Sequence, residues 1–541
     1  MRQKYKYGID FGTTNSSIAC VIDDGNGNKT VKAFAVNGNK NRSEFIRSIV
    51  AFKDGEVIVG DGARQANASD IVTEVKTKLL ARKCDDVCAM HQGEKYYYSD
   101  VMAAILKYLK SAADRQKGSI IISGVVMGIP NETEESVKAV YYDALCKAGF
   151  YRTREEAIEK TEFLEESVAV AMYYGANKEW QNKRALIFDF GGGTLDLAVV
   201  DLKSQDLTHV CERHQVYSKS RLSTAGERIT RELFLKVFLP RYGEAFFNGN
   251  EKQTIHLIGK LCDSLTDDPA ELWDELKNST IGMSFVQKMT RVKEELSFND
   301  FASLSMSYGE TNGRCVIEEI YIEREDFEAA IESEMMRIQE KINALLSNPE
   351  KPCPNIDMVL MAGGSSSIPA VRRLLQNRFG KDKVFFDDYH RGCYYINVMT
   401  CTALGFAYAG AMGVAAAVDD VTSFDYGFYD AVQKKVQVII KKNTKFSDAT
   451  FSPLTKESKF YCDVRQTDPK QRFFSFDLCE GERKVAHFRL DNKNGSGKYR
   501  LFFYIDAERG LLLYSMYDRE MHTDITEQLL DEERSYKIVK E

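Results

Sequence analysis

The sequence predicts an α/β domain of two similar lobes followed by an all-β domain, and three observations predict it. Ile187-Phe188-Asp189-Phe190-Gly191-Gly192-Gly193-Thr194-Leu195-Asp196-Leu197 reads as an apolar strand, a glycine reversal and a second strand. Near the N-terminus, Ile9-Asp10-Phe11-Gly12-Thr13-Thr14-Asn15 and the apolar residues after it repeat that pattern. Beyond about residue 419 the helical periodicity gives way to short, alternating, turn-punctuated segments.

The glycines let backbone N–H groups approach an anion, and an Asp at the strand end beside a Thr past the turn suits a phosphate with a divalent cation. One such hairpin is weak evidence. Two copies imply a duplicated unit whose hairpins close on a phosphate chain from both sides.

At 541 residues the chain exceeds one hydrophobic core. A net charge of −7 excludes a global field for nucleic acid or anionic membrane, and Lys441-Lys442-Asn443-Thr444-Lys445 is too short to make one. The cysteines are scattered; only Cys84 and Cys88 are close, so reduced thiols are expected rather than a metal site. Met1 leads almost directly into a strand, leaving no room for a signal peptide. The uncharged run from Gly392 to Val418 is rich in Ala, Gly and Thr and is expected to be a buried helix, not a membrane span. A cytoplasmic protein is expected.

Along the chain, residues 31–60 are strand-like, 99–116 helical, and 120–129 a buried strand stopped by Pro130. A helix over 132–148 is expected to carry acids in its first turn for the helix dipole. Glu165 and Glu166 cap a small-residue helix; the plain reading is dipole compensation, the functional one places Glu166 at the cleft. Ser223-Thr224-Ala225-Gly226-Glu227 precedes a helix, and residues 240–300 read as largely helical with Trp273 as a packing residue. Lys293 and Ser297 share one helical face. Asp357-Met358-Val359-Leu360-Met361-Ala362-Gly363-Gly364-Ser365-Ser366 is a third strand–glycine motif, where a ribose or ring can approach the backbone. No Walker A motif and no strand-following G-x-G-x-x-G occurs, so nucleotide binding must use another architecture.

These three glycine motifs, in this order, resemble the actin-like ATPase superfamily and specifically its Hsp70 chaperone branch. Glu166-Ser167-Val168-Ala169 is similar to the family's Glu-Pro-Thr-Ala, and Lys138 stands where an arginine is usual. Asp420-Val421-Thr422, Ile440-Lys441-Lys442-Asn443-Thr444, Glu480-Gly481-Glu482-Arg483 and Ile505-Asp506-Ala507-Glu508-Arg509-Gly510 are similar to landmarks of the family's peptide-binding sandwich. The resemblance implies duplicated ribonuclease-H-like lobes over residues 1–418, lobe I being about 1–180 plus the 396–418 helix and lobe II about 184–395. A linker over 419–424, a β-sandwich over 425–527 and a short lidless tail over 528–541 would follow.

Carried over, the family's roles make Asp10, Lys76, Glu166, Asp189 and Thr194 catalytic, with Asp10, Asp189 and Glu166 holding Mg²⁺ through water. Lys78 stays open as the alternative to Lys76. Gly12, Thr13, Thr14, Asn15, Gly191, Gly192 and Gly193 would contact the phosphates of ATP or ADP. Gly226, Glu227, Lys293, Ser297, Gly363, Gly364 and Ser366 would contact the rest of the nucleotide. Ser367 departs from an adenine-stacking arginine, and Arg228 replaces an acid. The linker's usual leucines read Val414-Ala415-Ala416-Ala417-Val418-Asp419, which removes apolar docking area.

Val436, Phe474, Phe476 and Leu478 either line a peptide groove or, being bulky, fill it. The implied activity is slow ATP hydrolysis controlling the binding of extended apolar peptides, with a J-domain co-chaperone and a nucleotide-exchange factor as partners. The alternatives are a nucleotide-dependent protein serving one dedicated partner and, less favoured, a small-molecule kinase of the same superfamily.

Overall fold

The computed structural model describes residues 4–531 except 24–28, 38–43, 54, 66–70, 205–206, 208–211, 224, 242–279, 312–313, 348–354, 387–396, 431–433, 451–457, 466–472, 492–496, 507–510 and 527–528. Trp273 and much of the helical stretch expected over 240–300 lie outside the described residues; Thr280–Leu296 is a helix.

Two sheets of like topology organise the first three-quarters of the chain. In the first, the strands Thr161–Glu165, Ile121–Ile129, Lys4–Phe11, Asn15–Asp23 and Lys29–Ala33 lie side by side. The pairings among the first three are parallel and the rest antiparallel. In the second, Val384–Phe385, Met358–Ala362, Arg184–Phe190, Thr194–Asp201 and His214–Ser223 repeat that order and those directions. The repeat read from the Asp10 and Asp189 stretches is therefore a repeat of whole sheets. Each hairpin is tied by near-continuous burial, with Ile9, Phe11 and Ile18 in one lobe and Phe188, Phe190 and Leu195 in the other almost wholly removed from water.

The uncharged run contains a twelve-residue helix, Cys401–Met412, whose residues Cys401–Ala409 are all buried. A Cβ on Gly405 would lie 1.9 Å from the Ala169 carbonyl oxygen, so this helix and Glu166–Gly175 cross where only glycine fits. No helix among the described residues is long and apolar enough to cross a membrane.

Glu165 and Glu166 stand at the start of the helix Glu166–Gly175, after a strand Thr161–Glu165 whose Phe163 and Leu164 are buried in the first sheet. Two local expectations change. The helix expected over 132–148 is Glu135–Lys147, and Glu132 takes a left-handed backbone (φ 55°). Glu132 and the N-cap Glu134 also reach distant cations: Lys442 donates to Glu132 at 2.6 Å, and Glu134 pairs with Arg483 and Arg82. At the C-terminal end, Leu529–Asp531 is a strand on Phe488–Leu490, so pairing continues past the expected sandwich end at 527.

The segment expected as a linker is docked. Val418–Asp419 adds a parallel strand to His214–Gln215 at the edge of the second sheet, and Val414, Ala417, Val418 and Val421 are buried. The positions where leucines are usual form the short helix Val414–Ala417, and Val418–Asp419 docks the segment by main-chain pairing. Asp420 reaches the buried Lys219 at 2.9 Å, and Lys219 also holds Glu165 at 2.6 Å. Ser423 Oγ donates to Glu165 at 2.6 Å.

Beyond it, Lys435–Ile440, Tyr426–Asp430, Phe473–Glu480, Arg483–Asp491 and Leu529–Asp531 face a second sheet of Phe460–Arg465, Lys498–Asp506, Leu511–Asp518 and Thr523–Asp524. Between the sheets pack Phe428, Leu478, Phe488, Tyr499, Phe503 and Met516. This corrects the groove reading. Phe474 and Leu478 are buried core residues, and Phe476 is wedged between the rings of Phe428 and Phe488, with centroids 5.2 and 5.4 Å away. Val436 is half-buried on the edge strand opposite Tyr429. Alternation identified the shared face correctly, but that face is the one between the sheets, and phenylalanine fills it. Leu478→Ala should therefore destabilise the sandwich by about 2–5 kcal/mol, as core truncations do. A chemical melt monitored on the sandwich checks this, and a neutral outcome would restore Leu478 to a surface role.

Candidate functional site

The two Asp-bearing hairpins meet tip to tip. A Cβ on Gly192 would lie 2.1 Å from Thr14 Oγ1, and one on Gly193 would lie 2.5 Å from Thr13 Oγ1, so the approach requires glycine in both positions. Behind the tips, Asp10 lies beside Ser17 and Asp189 beside Asp196 in their antiparallel registers. The parallel neighbour of Asp189 is Ala362, after which Gly363 turns with φ 78°. A Cβ there would lie 2.4 Å from the Phe190 carbonyl oxygen.

Between the hairpins lies a buried ion pair. Lys76, on the short helix Val75–Leu80, is 2% exposed and donates to Glu166, the first residue of its helix. Lys78, the other lysine considered, is half-buried on the wall of a cavity at the cleft mouth. Burial works against a charge on Lys76, but Glu166, Tyr141 and Asp10 outweigh it and raise its pKa. Burial, then Glu166, pushes Asp10 up to about 7. Burial holds Asp189 well above the usual carboxylate range, with Glu166, Asp196 and Asp10 adding to it. These groups crowd like charges around one lysine, an arrangement that favours a further cation.

The second lobe supplies the other wall. Glu227 N–H donates to Gly192 O at 2.6 Å, Lys293 Nζ to Gly226 O at 2.9 Å, and Ser365 Oγ to Gly191 O at 2.8 Å. Gly226, Glu227, Lys293, Gly363 and Gly364 are thus brought to the second hairpin. Ser297 and Ser366 are buried, with their hydroxyls donating back to Lys293 O and Ala362 O within their own turns. Thr194 is buried at the start of its strand, and its side chain hydrogen-bonds Asp196. Asn15 begins the second strand of its hairpin with a buried Oδ1 that has no hydrogen-bond partner among the described residues. Arg228, standing where an acid was expected, pairs with Glu334 at 2.5 Å.

Four residues not singled out from the sequence belong here. Asp196 is 1% exposed; burial, then Glu166, raises it to about 7, and Arg221 opposes that rise. Its place two residues after Thr194, on the same strand face, was the available signal. Asn131, just after Pro130, donates its N–H to Asp196 Oδ1 at 2.6 Å and its side-chain amide to Leu197 O at 2.9 Å, bridging the lobes. Ser365, next to the expected Ser366, is the serine whose hydroxyl reaches the second hairpin. Arg47 lines the cavity opposite Lys293. Nothing local marks Asn131 or Arg47.

Comparison with known proteins identifies the family of the chain. The family model for Hsp70 protein matches residues 72–209 and 262–495, well over half of the chain. The chain is 26% identical over 497 residues to the chaperone protein DnaK of Mycoplasmopsis agalactiae, covering 90% of this chain and 70% of that protein. It is 25% identical over 510 residues to DnaK of Mycoplasma mobile, covering 93% and 72%. Against DnaK of Ureaplasma urealyticum serovar 10 the figures are 24% over 518 residues, 94% and 74%. With the match running through both lobes and into the sandwich at about one identical residue in four, the chain belongs to the Hsp70 family as a divergent member.

Proposed function

We propose that this chain is a chaperone-type ATPase in which slow ATP hydrolysis in the cleft controls what the β-sandwich holds. The observation that carries it is the buried Lys76–Glu166 pair set between two tip-to-tip Asp-bearing hairpins. Phosphoryl transfer needs mainly positioning and charge neutralisation. The hairpin amides with Thr13, Thr14 and Thr194 hold the phosphates, and Lys76, fixed by Glu166, orients the attacking water.

The donor set fits Mg²⁺: Asp10, Asp189 and Glu166 offer only hard oxygen atoms, and the like-charge crowding around them calls for a cation. Among the described residues no group of three or more His, Cys, Asp or Glu side chains stands close enough to hold an ion directly, so the cation would be held through water. Bound there, it supplies neutralisation of phosphate charge.

A pH dependence follows. Asp10 and Asp196 keep a proton in the folded protein up to about pH 7, whereas unfolded Asp releases it near 3.8. Stability of the nucleotide-free protein should therefore fall as pH rises from about 4 to 7. Added Mg²⁺ should raise the melting temperature more at pH 8 than at pH 5. Equal shifts at both pH values would contradict a carboxylate-held cation.

The filled sandwich core favours a second reading of the same ATPase, in which the sandwich serves one dedicated partner rather than extended apolar peptides at large. ATP turnover measured alone, with a panel of unfolded peptides, with a J-domain protein and with a nucleotide-exchange factor separates the two. Stimulation by several unrelated peptides supports the general chaperone; turnover indifferent to all of them supports the dedicated partner. Absence of ATP turnover sinks both.

A further inference from the structure

The Lys76–Glu166 pair has a polar neighbour that the fold does not need. Tyr141, on the helix Glu135–Lys147, is wholly buried, and its Oη has no hydrogen-bond partner among the described residues. Its ring stands edge-on to Phe11, the residue after Asp10, with centroids 6.5 Å apart, and to Phe163, three residues before Glu166, at 6.1 Å. Those rings fix the phenol near the strand ends that carry the site. Burial pushes the hydroxyl up to about 12, Lys76 opposes that rise, and Glu166 and Asp10 add to it, so it stays a neutral O–H in the field of all three.

An unpartnered hydroxyl in the interior costs the fold free energy, and phenylalanine would fill the same space without that cost. Lys76 has donors to spare: of its three N–H groups, one is taken by Glu166 among the described residues. Lys76 and Tyr141 are not hydrogen-bonded to each other, and a water is the partner that satisfies both. We propose that Tyr141 positions the attacking water, its Oη accepting an O–H of the water that Lys76 orients. The inference rests on the ATPase reading of the cleft and adds a residue to it from a separate helix. Held at two points, the water keeps a lone pair on the γ-phosphorus for more of the time. The water oxygen bonds to that phosphorus as the bond to the ADP oxygen breaks. Both water protons leave on the released phosphate, and Tyr141 keeps its own.

The test is single-turnover hydrolysis of bound ATP by the full chain with Mg²⁺ present, with affinity for a fluorescent ATP analogue and the melting temperature measured alongside. Tyr141→Phe should slow hydrolysis about ten-fold, the loss expected for one hydrogen bond made at the reacting water. Affinity should stay within about two-fold of wild type, and the melt should be equal or higher, because an unsatisfied hydroxyl has been removed. Tyr142→Phe, next along the helix and also edge-on to Phe163 at 5.3 Å, is the control and should leave hydrolysis unchanged. Hydrolysis unaffected by Tyr141→Phe, equal slowing in the control, a loss of affinity as large as the loss of rate, or a lowered melt would each overturn the proposal while leaving the ATPase reading intact. Wild-type protein that hydrolyses no ATP would overturn both.

Discussion

Replacing Asp189 by Asn should cut ATP turnover severely and, above neutral pH, raise the melting temperature of the nucleotide-free protein. Asp189 is buried, and Glu166, Asp196 and Asp10 all disfavour its charge. The apo protein above neutral pH therefore holds a crowd of carboxylates with Lys76 as its buried counter-charge. Asparagine keeps the shape and removes one of the like charges. Relief worth roughly 1 kcal/mol would shift the melt by about 2 °C. Turnover should nonetheless fall by about 10²-fold or more, because a preorganised charge at the reacting phosphate is lost. The added Mg²⁺ stabilisation should shrink in the same variant. The opposed signs are diagnostic of a functional site. A residue serving the fold alone would lose stability on substitution, and a melt lowered by Asp189→Asn, or turnover left intact, would remove it from the site.

Lys219→Met should have the largest effect outside the cleft. Lys219 is 2% exposed and sits between Glu165 and Asp420, at 2.6 and 2.9 Å, with the Phe446 ring 5.8 Å from its Nζ. Burial opposes its charge, yet Asp420 and Glu165 win and raise its pKa. Methionine would leave two buried carboxylates without a cation, which costs about 3–5 kcal/mol. Lobe II need not unfold to escape that penalty. Release of the Asp420–Ser423 segment exposes both acids to water, so the sandwich should swing free. Small-angle scattering should show an increased radius of gyration, and limited proteolysis should cut between 413 and 424. Adding Glu165→Gln and Asp420→Asn to Lys219→Met should restore compactness by removing the charges instead of the cation. A variant as compact and as stable as wild type would show that the junction is held by other means.

The parts of the site legible in the sequence are those whose cause is local. Asp10 and Asp189 could be read because strand, glycine turn and strand lie within one dozen residues, and Gly363 because its turn follows its own strand. Lys76 was legible only through the resemblance, since nothing in Val75-Lys76-Thr77-Lys78 shows that Glu166 waits for the first lysine. Glu165, Glu132 and Glu134 were assigned to helix dipoles, a local cause, whereas their ion-pair partners lie far along the chain: Lys219, Lys442 and Arg483. Phe474 and Leu478 show the same limit. Alternation gives two faces of a strand, but only the second sheet, brought in from residues 460–524, decides which face is the interior. Arg47 and Asn131 depend on how the lobes meet and leave no mark on neighbouring residues.

The Val418–Asp419 strand has a consequence for how freely this junction can change. Its hold on His214–Gln215 is a ladder of peptide groups, which every residue but proline carries. Side chains there can change without undoing the pairing. When the strand leaves, however, it uncovers a row of unpaired amides and carbonyls beside the buried His214, a bare sheet edge of the sort that recruits other chains. The protein must either keep that edge covered or open it only where the intended chain is at hand.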